Sequence, residues 1–334
     1  MRTAGATSLI IGAGVMGRQH ARCAAAAGAR IVGIVDPDPA AARSLAEQWS
    51  GAAWWTVLGD GLKATAPGVA HICTPPSTHV DLANAAAAAG FHALVEKPLA
   101  ECADQAHLIH DSFSAAGKMV CPVHQYAFQR SVKAAAVRVT RLGSLSSVAF
   151  DICSAGAVAG HITSDELIAE ILPHPLSILQ KLLPSINIAR LDWTCVRGAP
   201  GEWAVTAAWN GIVLTMSLSA AGRPTRFLTR VTGQAGSLQI DHFHDFAVAL
   251  PGTVSRAQKI LAPFSRTSRE FTTATWNLVS RAGRREFAYP GLQALMDEFY
   301  GAVGAVRDAP PITQEESIAV AEARDAIMKL ANHG

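Results

Sequence analysis

The chain of 334 residues has no closely spaced cysteine pair: its six cysteines, at 23, 73, 102, 121, 153 and 195, stand singly. That excludes a zinc ribbon and a thioredoxin-type redox motif. It suits a reducing cytoplasm, where each thiol packs as a small apolar group. Charge is scarce: 16% of residues are charged and the formal net charge is +2. No strong electrostatic case follows for nucleic acid or a membrane as the main partner, and neither is expected. Long apolar runs are missing as well. The run from Ser8 to Val15 is broken by Gly12 and Gly14, so no secretory signal is expected. The alanine-rich stretch from Leu82 to Val95 holds Asn84, Gly90 and His92 and is too short to span a bilayer. What is present is 50% hydrophobic residues and length for roughly two domains, the profile of a soluble globular protein with a large core.

The first half alternates short apolar runs with helix-like stretches. "TSLII", "ARIVGIVD", "VAHICTP", "FHALVEKP" and "KMVCPV" read as strands, and "AAWWT" as a further short one. Between them, Met16 to Gly28, Pro39 to Trp49, Ser77 to Ala89 and Glu101 to Ala116 read as helices. Ser77 and Asp104 fit helix starts, and Gly28, Gly90 and Gly117 fit helix ends. Strands apolar on both faces, each followed by a helix, predict a parallel sheet covered on both sides.

Gly12, Gly14 and Gly17, with Val15 and Met16 among them, form G-x-G-x-x-G between the first strand and the first helix. Gly12 allows the tight turn, Gly14 lets a pyrophosphate approach the backbone, and Gly17 lets helix and strand pack closely. The helix N-terminus then faces the phosphates. Asp36 ends the second strand and is placed to accept both hydroxyls of an adenine ribose. Pro37, Asp38 and Pro39 follow, with no arginine for a 2′-phosphate, which favours NAD over NADP. Ligands of such sheets bind beyond the carboxyl ends of the strands. That edge carries Cys73, Thr74 and Pro75 after one strand and Glu96 and Lys97 after the next. A lysine there is a solvated surface group or, beside a nicotinamide, a charge that polarises a substrate oxygen.

"GAGVMG", Asp36, "TPPSTH" with His79, Gly90 and Glu96-Lys97-Pro98 occur in an order and spacing that resemble the glucose-fructose oxidoreductase / inositol dehydrogenase / rhizopine-catabolism (Gfo/Idh/MocA) family. "KMVCPVHQYAFQ" and the C-terminal stretch from Leu292 to Ile327 resemble it too, so the resemblance covers nearly the whole chain. It implies a doubly wound dinucleotide-binding Rossmann domain, 1–122, then an α+β domain with an open, mostly antiparallel sheet, 123–334. The C-terminal helices are allowed to pack back on the first domain. It implies contacts to the cofactor from Gly12, Gly14, Val15, Met16, Gly17, Asp36, Cys73, Thr74, Pro75, His79, Glu96, Lys97 and Gln125. It also implies a Lys97–Pro98 bond that is often cis in relatives, a sugar, nucleotide sugar or cyclitol as substrate, a cytoplasmic location and a homodimer or homotetramer.

"EILPHPLSIL" sets His174 between two prolines, which push Leu172 and His174 away from ordinary helical geometry. Taken alone, such a histidine packs or caps. Pro175 could open a helix to Leu183, whose N-terminus would favour the neutral imidazole. The resemblance makes His174 the catalytic acid/base beside Lys97, with Glu170 for the usual aspartate, Leu172 for a common glycine and Ser177 for a second acid. His124, Tyr126, Glu170, His174 and Lys97 become substrate-binding candidates; packing stands as the alternative for His124 and Tyr126, and Ala127 replaces a frequent arginine. The implied activity is hydride transfer between nicotinamide and a hydroxyl or carbonyl carbon. A non-redox reaction through transient oxidation and a dinucleotide-binding regulator remain open; retention of Lys97 and His174 argues against the last.

In the second half "LSSVAFDIC", "WAVTAAWNG", "IVLTMSLSA", "RFLTRVTG" and "GSLQIDHF" read as strands of an antiparallel sheet. Trp193, Trp203 and Trp209 beside it fit core packing, an oligomer contact or sugar stacking. From Arg223 to Glu286 nine arginines and Lys259 stand against only Asp241, Asp245, Glu270 and Glu286. Pro251 to Pro290 reads as a long basic loop, either a grip for an anionic substrate group or a solvated or subunit-contacting surface. His242 and His244 do not amount to a metal site.

Overall fold

The computed structural model describes residues 5–154, 163–252, 255–284, 289–306 and 309–333. The chain forms two compact units. The first comprises residues 1–124 and 292–322, the second 125–291 and 323–334. The sequence-based boundary at 122/123 compares with 124/125 here.

In the first unit the order is β1 (Thr7–Ile11), α1 (Val15–Ala26), β2 (Arg30–Val35), α2 (Pro39–Ala46), β3 (Ala53–Trp55), α3 (Leu58–Ala64), β4 (Val69–Ile72), α4 (His79–Ala88), β5 (His92–Val95), α5 (Ala103–Ala115) and β6 (Val120–Pro122). All six strands are parallel, in the order β3-β2-β1-β4-β5-β6. Leu9, Ile10, Ile34, Val69, Ala70, Ile72, Leu94 and Val95 are buried, on both faces of the central strands, so helices must cover the sheet on each side. Gly28, Gly90 and Gly117 end α1, α4 and α5 at positive φ of 96°, 82° and 62°. Ser77 and Asp104 do not cap: α4 and α5 start after Thr78 and Cys102, with no side-chain cap bond at either. The short helix α3 was hidden in the sequence because seven residues hold too little periodicity to read.

The second unit runs α6 (Arg130–Val139), β7 (Leu145–Cys153), α7 (Ser164–Ile171), α8 (Pro173–Leu182), β8 (Thr194–Arg197), β9 (Glu202–Trp209), β10 (Ile212–Ser219), β11 (Arg226–Gly233), β12 (Gly236–Asp241), β13 (Phe246–Pro251) and α9 (Arg256–Arg284). Its sheet has the order β13-β12-β11-β7-β10-β9-β8, antiparallel except between β7 and β10. Alternation is regular, as in β9, where Trp203, Val205 and Ala207 point inward and Ala204, Thr206 and Ala208 outward. Trp193 and Trp203 are buried, and their ring N–H groups donate to Ile188 O and Asp165 Oδ1. Core packing is thus their place in the fold.

The basic stretch from Pro251 to Pro290 is not a loop. Residues 256–284 form the 29-residue helix α9. Its apolar positions recur at helical spacing, but threonines, serines and arginines between them weaken the pattern, and Pro263 lies within the helix. Arg285 and Glu286 lie outside the described residues. The chain then returns to the first unit through α10 (Leu292–Gly301), which packs on α1, and closes with α11 (Gln314–His333).

Candidate dinucleotide and substrate site

β2 and β3 lie on one side of β1, β4 to β6 on the other, so the winding direction switches between β1 and β4. A crevice forms at such a point because the following loops diverge. Gly12 sits there with φ +97°, and a Cβ on it would lie 2.5 Å from Cys73 O. A Cβ on Gly17 would lie 1.8 Å from Gly12 O, so only glycine lets α1 start this close to β1. Gly14 differs: nothing stands within 4 Å of a Cβ there. It caps α1 without a side-chain hydrogen bond, and no acidic residue occupies the first turn. The N–H groups opening α1, at Val15, Met16 and Gly17, therefore have a free approach for an anion.

Asp36 Oδ2 accepts from Ala13 N at 2.6 Å and Oδ1 from Asp38 N at 2.9 Å. Each oxygen keeps a lone pair, as two ribose hydroxyls require. Glycine cradle and carboxylate together fit a dinucleotide. Thr74 Oγ1 bonds Thr78 Oγ1 at 2.7 Å. His79 lies wholly inside: Nε2 is 2.9 Å from Thr74 O, and Nδ1 is 3.1 Å from both Pro98 O and Leu99 O. It clips the loop after β4 to the loop after β5, holding Thr74 and Lys97 in place rather than presenting its ring to a ligand. Burial, with the Glu96 charge adding to it, pushes the Cys73 thiol well above its usual range, so it serves as an apolar wall.

Lys97 follows β5, is half-buried, and its peptide bond to Pro98 is cis. Beneath it Glu96 is buried, accepting from Lys97 N at 3.1 Å and facing His20 Nε2 at 3.0 Å. Burial alone would raise the Glu96 carboxyl; the bond and charge of His20, with the Lys97 charge and N–H, hold it below the ordinary value. The chain of contacts continues from His20 Nδ1 to His71 Nδ1 at 3.1 Å and from His71 Nε2 to Tyr300 OH at 2.7 Å, ending in a short contact with Ser8 Oγ. His20, His71 and Tyr300 escaped the sequence reading because a single polar residue on a packed helix or strand carries no local signal, and Tyr300 is 229 positions from His71. His124 is buried, with Nδ1 lacking a partner among the described residues. Burial lowers its pKa to about 4, the Glu96 charge opposing and the Lys97 charge assisting. It is a neutral imidazole at pH 7.

In the second unit Thr163 caps α7, and Glu166 reaches back in a capping box. Leu172 is helical, φ −48° and ψ −39°, and accepts from Leu176 N at 3.3 Å. The expected expulsion of Leu172 from helical geometry does not occur, because its complete burial outweighs the local preference. α8 starts at Pro173, not Pro175. Both prolines sit in the first turn, where no N–H is needed, and His174 between them is helical as well. Tyr126 stands edge-on to His174 with ring centres 4.6 Å apart and touches Phe227 at 5.1 Å. Burial, then Tyr289, raises the Tyr126 phenol to about 12. Ser177 Oγ donates to His174 O at 2.9 Å, so this serine serves the helix backbone. Glu170 lies half-buried in the last turn of α7, and Gln125 is buried at the start of a 3-10 turn, Gln125–Phe128. His242 is interior, bonded to Gln129 and Thr229, and burial lowers its pKa to about 3. Among the described residues no cluster of His, Cys, Asp and Glu could hold a metal ion.

Residues 7–124 match the profile of a family described as the GFO_IDH_MocA oxidoreductase family, NAD-binding Rossmann fold. The matched span contains every first-unit residue of the site, from Gly12 to His124. No curated protein sequence matches the chain. Solved structures share the fold over both units. The WlbA dehydrogenase from Bordetella pertussis, in complex with NADH and UDP-GlcNAcA, is 15% identical with a TM-score of 0.79, over 100% of this chain and 97% of that one. Levoglucosan dehydrogenase, in complex with NADH and levoglucosan, is 16% identical with a TM-score of 0.77, over 98% and 97%. The UDP-N-acetylglucosamine 3-dehydrogenase GnnA from Acidithiobacillus ferrooxidans is 17% identical with a TM-score of 0.70, over 97% and 96%. No described helix is long and apolar enough to cross a membrane.

Proposed function

We propose that the protein is an NAD-dependent dehydrogenase acting on a hydroxyl-bearing carbon of a sugar or nucleotide sugar, or on the corresponding ketone in reverse. The observation that carries this is one sheet edge combining the open Gly14 cradle, the Asp36 carboxylate and, after β5, Lys97. The N–H groups opening α1 hold the pyrophosphate, and Asp36 holds the adenine ribose while its charge repels a 2′-phosphate. When bound, NAD supplies the acceptor or donor of hydride. Lys97 binds the substrate oxygen and stabilises negative charge on it. His174 takes the hydroxyl proton in oxidation and returns it in reduction, with Tyr126 fixing the imidazole plane. His124, Gln125 and Glu170 are the further candidates for substrate contact. The family match and the NADH-bound, sugar-bound relatives support the reading.

A cytoplasmic location agrees with six free cysteines. A homodimer or homotetramer agrees with the outward sheet face, where Val196 and Val213 are exposed. The test is purified protein with NAD and separate panels of hexoses, uronic acids and UDP-sugars, followed by NADH absorbance and by native mass spectrometry. One substrate class should yield NADH. Product without NADH would mean transient oxidation instead. Absence of both NAD binding and turnover would sink the proposal.

A further inference from the structure

The core of the first unit holds a row of polar side chains where packing asks for apolar ones. His71 stands on β4 between Ile10 of β1 and Leu94 of β5, its neighbours in register, and all three are fully buried. An aliphatic side chain there carries no polar desolvation cost, whereas a buried imidazole does unless its nitrogens are partnered. Both are. Nδ1 meets His20 Nδ1 of α1 at 3.1 Å, with the two ring planes at 84°, and Nε2 meets Tyr300 OH of α10 at 2.7 Å. Tyr300 OH in turn meets Ser8 Oγ of β1. Burial, with the His20 charge adding to it, holds the His71 imidazole well below its usual range, so the ring is neutral and one nitrogen donates while the other accepts.

At one end the row closes on Ser8 and Tyr300, both buried, so it does not lead a proton to solvent. At the other end it reaches the strand end that carries Lys97. A carboxylate only accepts, so the proton between His20 and Glu96 Oε1 lies on His20 Nε2. The second carboxylate oxygen accepts from Lys97 N at 3.1 Å. The end of the sheet makes this bond matter. Glu96 N still donates to Ile72 O, the last residue of β4, and one residue on, Lys97 N is taken by the Glu96 carboxylate. The plane of that carboxylate therefore sets the direction in which the backbone leaves β5 and from which the Lys97 side chain starts. His20 holds the plane, and His71 holds His20: an imidazole bonded at one nitrogen pivots about that bond, and one bonded at both is fixed.

We propose that His71 is a positioning residue for Lys97, acting through His20 and Glu96, with Tyr300 anchoring its far nitrogen. The proposal rests on the reading of Lys97 as the group that binds the substrate oxygen. Aim matters there because a misplacement of about 1 Å in a reacting group costs about 10²-fold in rate. His71 and Tyr300 touch neither cofactor nor substrate in this account; they act from the core, four elements tied to one strand end.

Steady-state kinetics of full-length variants test it, with NADH affinity as the measure of an intact fold. His71→Leu removes the partner of His20 Nδ1, and His71→Asn puts a polar amide near the lost Nδ1. His71→Leu should lose at least about tenfold in kcat with NADH affinity within about threefold, and His71→Asn should recover most of that loss. Tyr300→Phe, which keeps the ring and removes only the hydroxyl, should lose about threefold in kcat. In a Lys97→Met background His71→Leu should change kcat by less than about twofold, because nothing is left to aim. A purely structural His71 would lower kcat alike in both backgrounds. Nitrogen-15 NMR of labelled histidines reads the coupling without turnover: the His20 Nε2 signal should shift in His71→Leu and return in His71→Asn. Wild-type kcat in His71→Leu or Tyr300→Phe, an equal loss in the Lys97→Met background, or an unmoved His20 Nε2 signal would overturn the proposal. A wild type that turns over no substrate would instead sink the dehydrogenase reading, and the NMR signal would then decide by itself whether His71 sets His20.

Discussion

His20 Nε2 lies 3.0 Å from Glu96 Oε1, and both groups are buried in the first unit. The pair holds the residue next to Lys97, so a helix face with no visible motif reaches the candidate catalytic strand end. Removing one partner of a buried hydrogen-bonded pair leaves the other unsatisfied, at a cost of about 1–3 kcal/mol. His20→Ala should therefore lower stability by that order in urea unfolding at pH 7, and a loss under about 1 kcal/mol would show that Glu96 finds another partner. A carboxyl held below its usual 4.5 lends stability above that pH and loses it as pH falls through the folded value. Glu96→Gln should flatten the acid limb of the stability profile.

Gly17 and Gly14 should respond differently to one added methyl group. Gly17→Ala puts a Cβ 1.8 Å from Gly12 O, so both the melting temperature and NADH affinity should fall. Gly14→Ala meets no protein atom within 4 Å and should leave melting unchanged, while blocking the approach of the pyrophosphate. NADH titration should show at least about a tenfold loss for Gly14→Ala. Normal affinity in that variant would place the dinucleotide elsewhere.

Asp36→Ala removes a charged acceptor, which is worth about 1.5–3 kcal/mol per bond. NADH affinity should drop by about one to two orders of magnitude, and the preference for NADH over NADPH should shrink, since the repulsive charge is gone. An unchanged NADH/NADPH ratio would remove Asp36 from cofactor choice.

Lys97→Met and His174→Ala should each cut kcat by about 10² or more while NADH binding stays within about threefold. His174→Ala with wild-type turnover would return His174 to packing, the alternative its apolar surroundings allow. Tyr126→Phe should be nearly neutral and Tyr126→Ala harmful, because the ring edge on His174, rather than the phenol, is the contact.

Three buried histidines predict the acid limit of the fold. His110 and His124 have pKa values lowered to about 4, and His242 to about 3, with burial the first cause in each. The unfolded chain takes up these protons near 6.5, before the folded one does. Their neutral forms therefore favour the fold above that pH, and stability falls as pH drops from about 6.5 toward 4, by about 3 kcal/mol per group. Melting temperature measured across that window should fall, and His242→Gln should reduce the slope. A flat profile would contradict the burial of these rings.

The dinucleotide half was legible because its determinants are local. A strand, three glycines and an acid at the next strand end must be close in sequence to be close in space, and Lys97 and His79 follow by short spacing. What escaped are contacts between distant segments: His20 with Glu96, and His71 with Tyr300. His174 was found by resemblance, but its backbone was misjudged, since the local effect of two prolines was outweighed by burial of Leu172. α9 reads as a loop in the sequence because threonines, serines and arginines between its apolar positions weaken the helical period.

By itself the sequence determined the parallel sheet, the glycine turn, the choice of Asp36 over a basic residue and the line of candidate groups from Gly12 to His174. Each follows from backbone conformational limits or from charge at a fixed chain position. Only the tertiary structure decided which polar groups are buried together. Burial and desolvation are properties of packing among distant residues, and no local spacing records them.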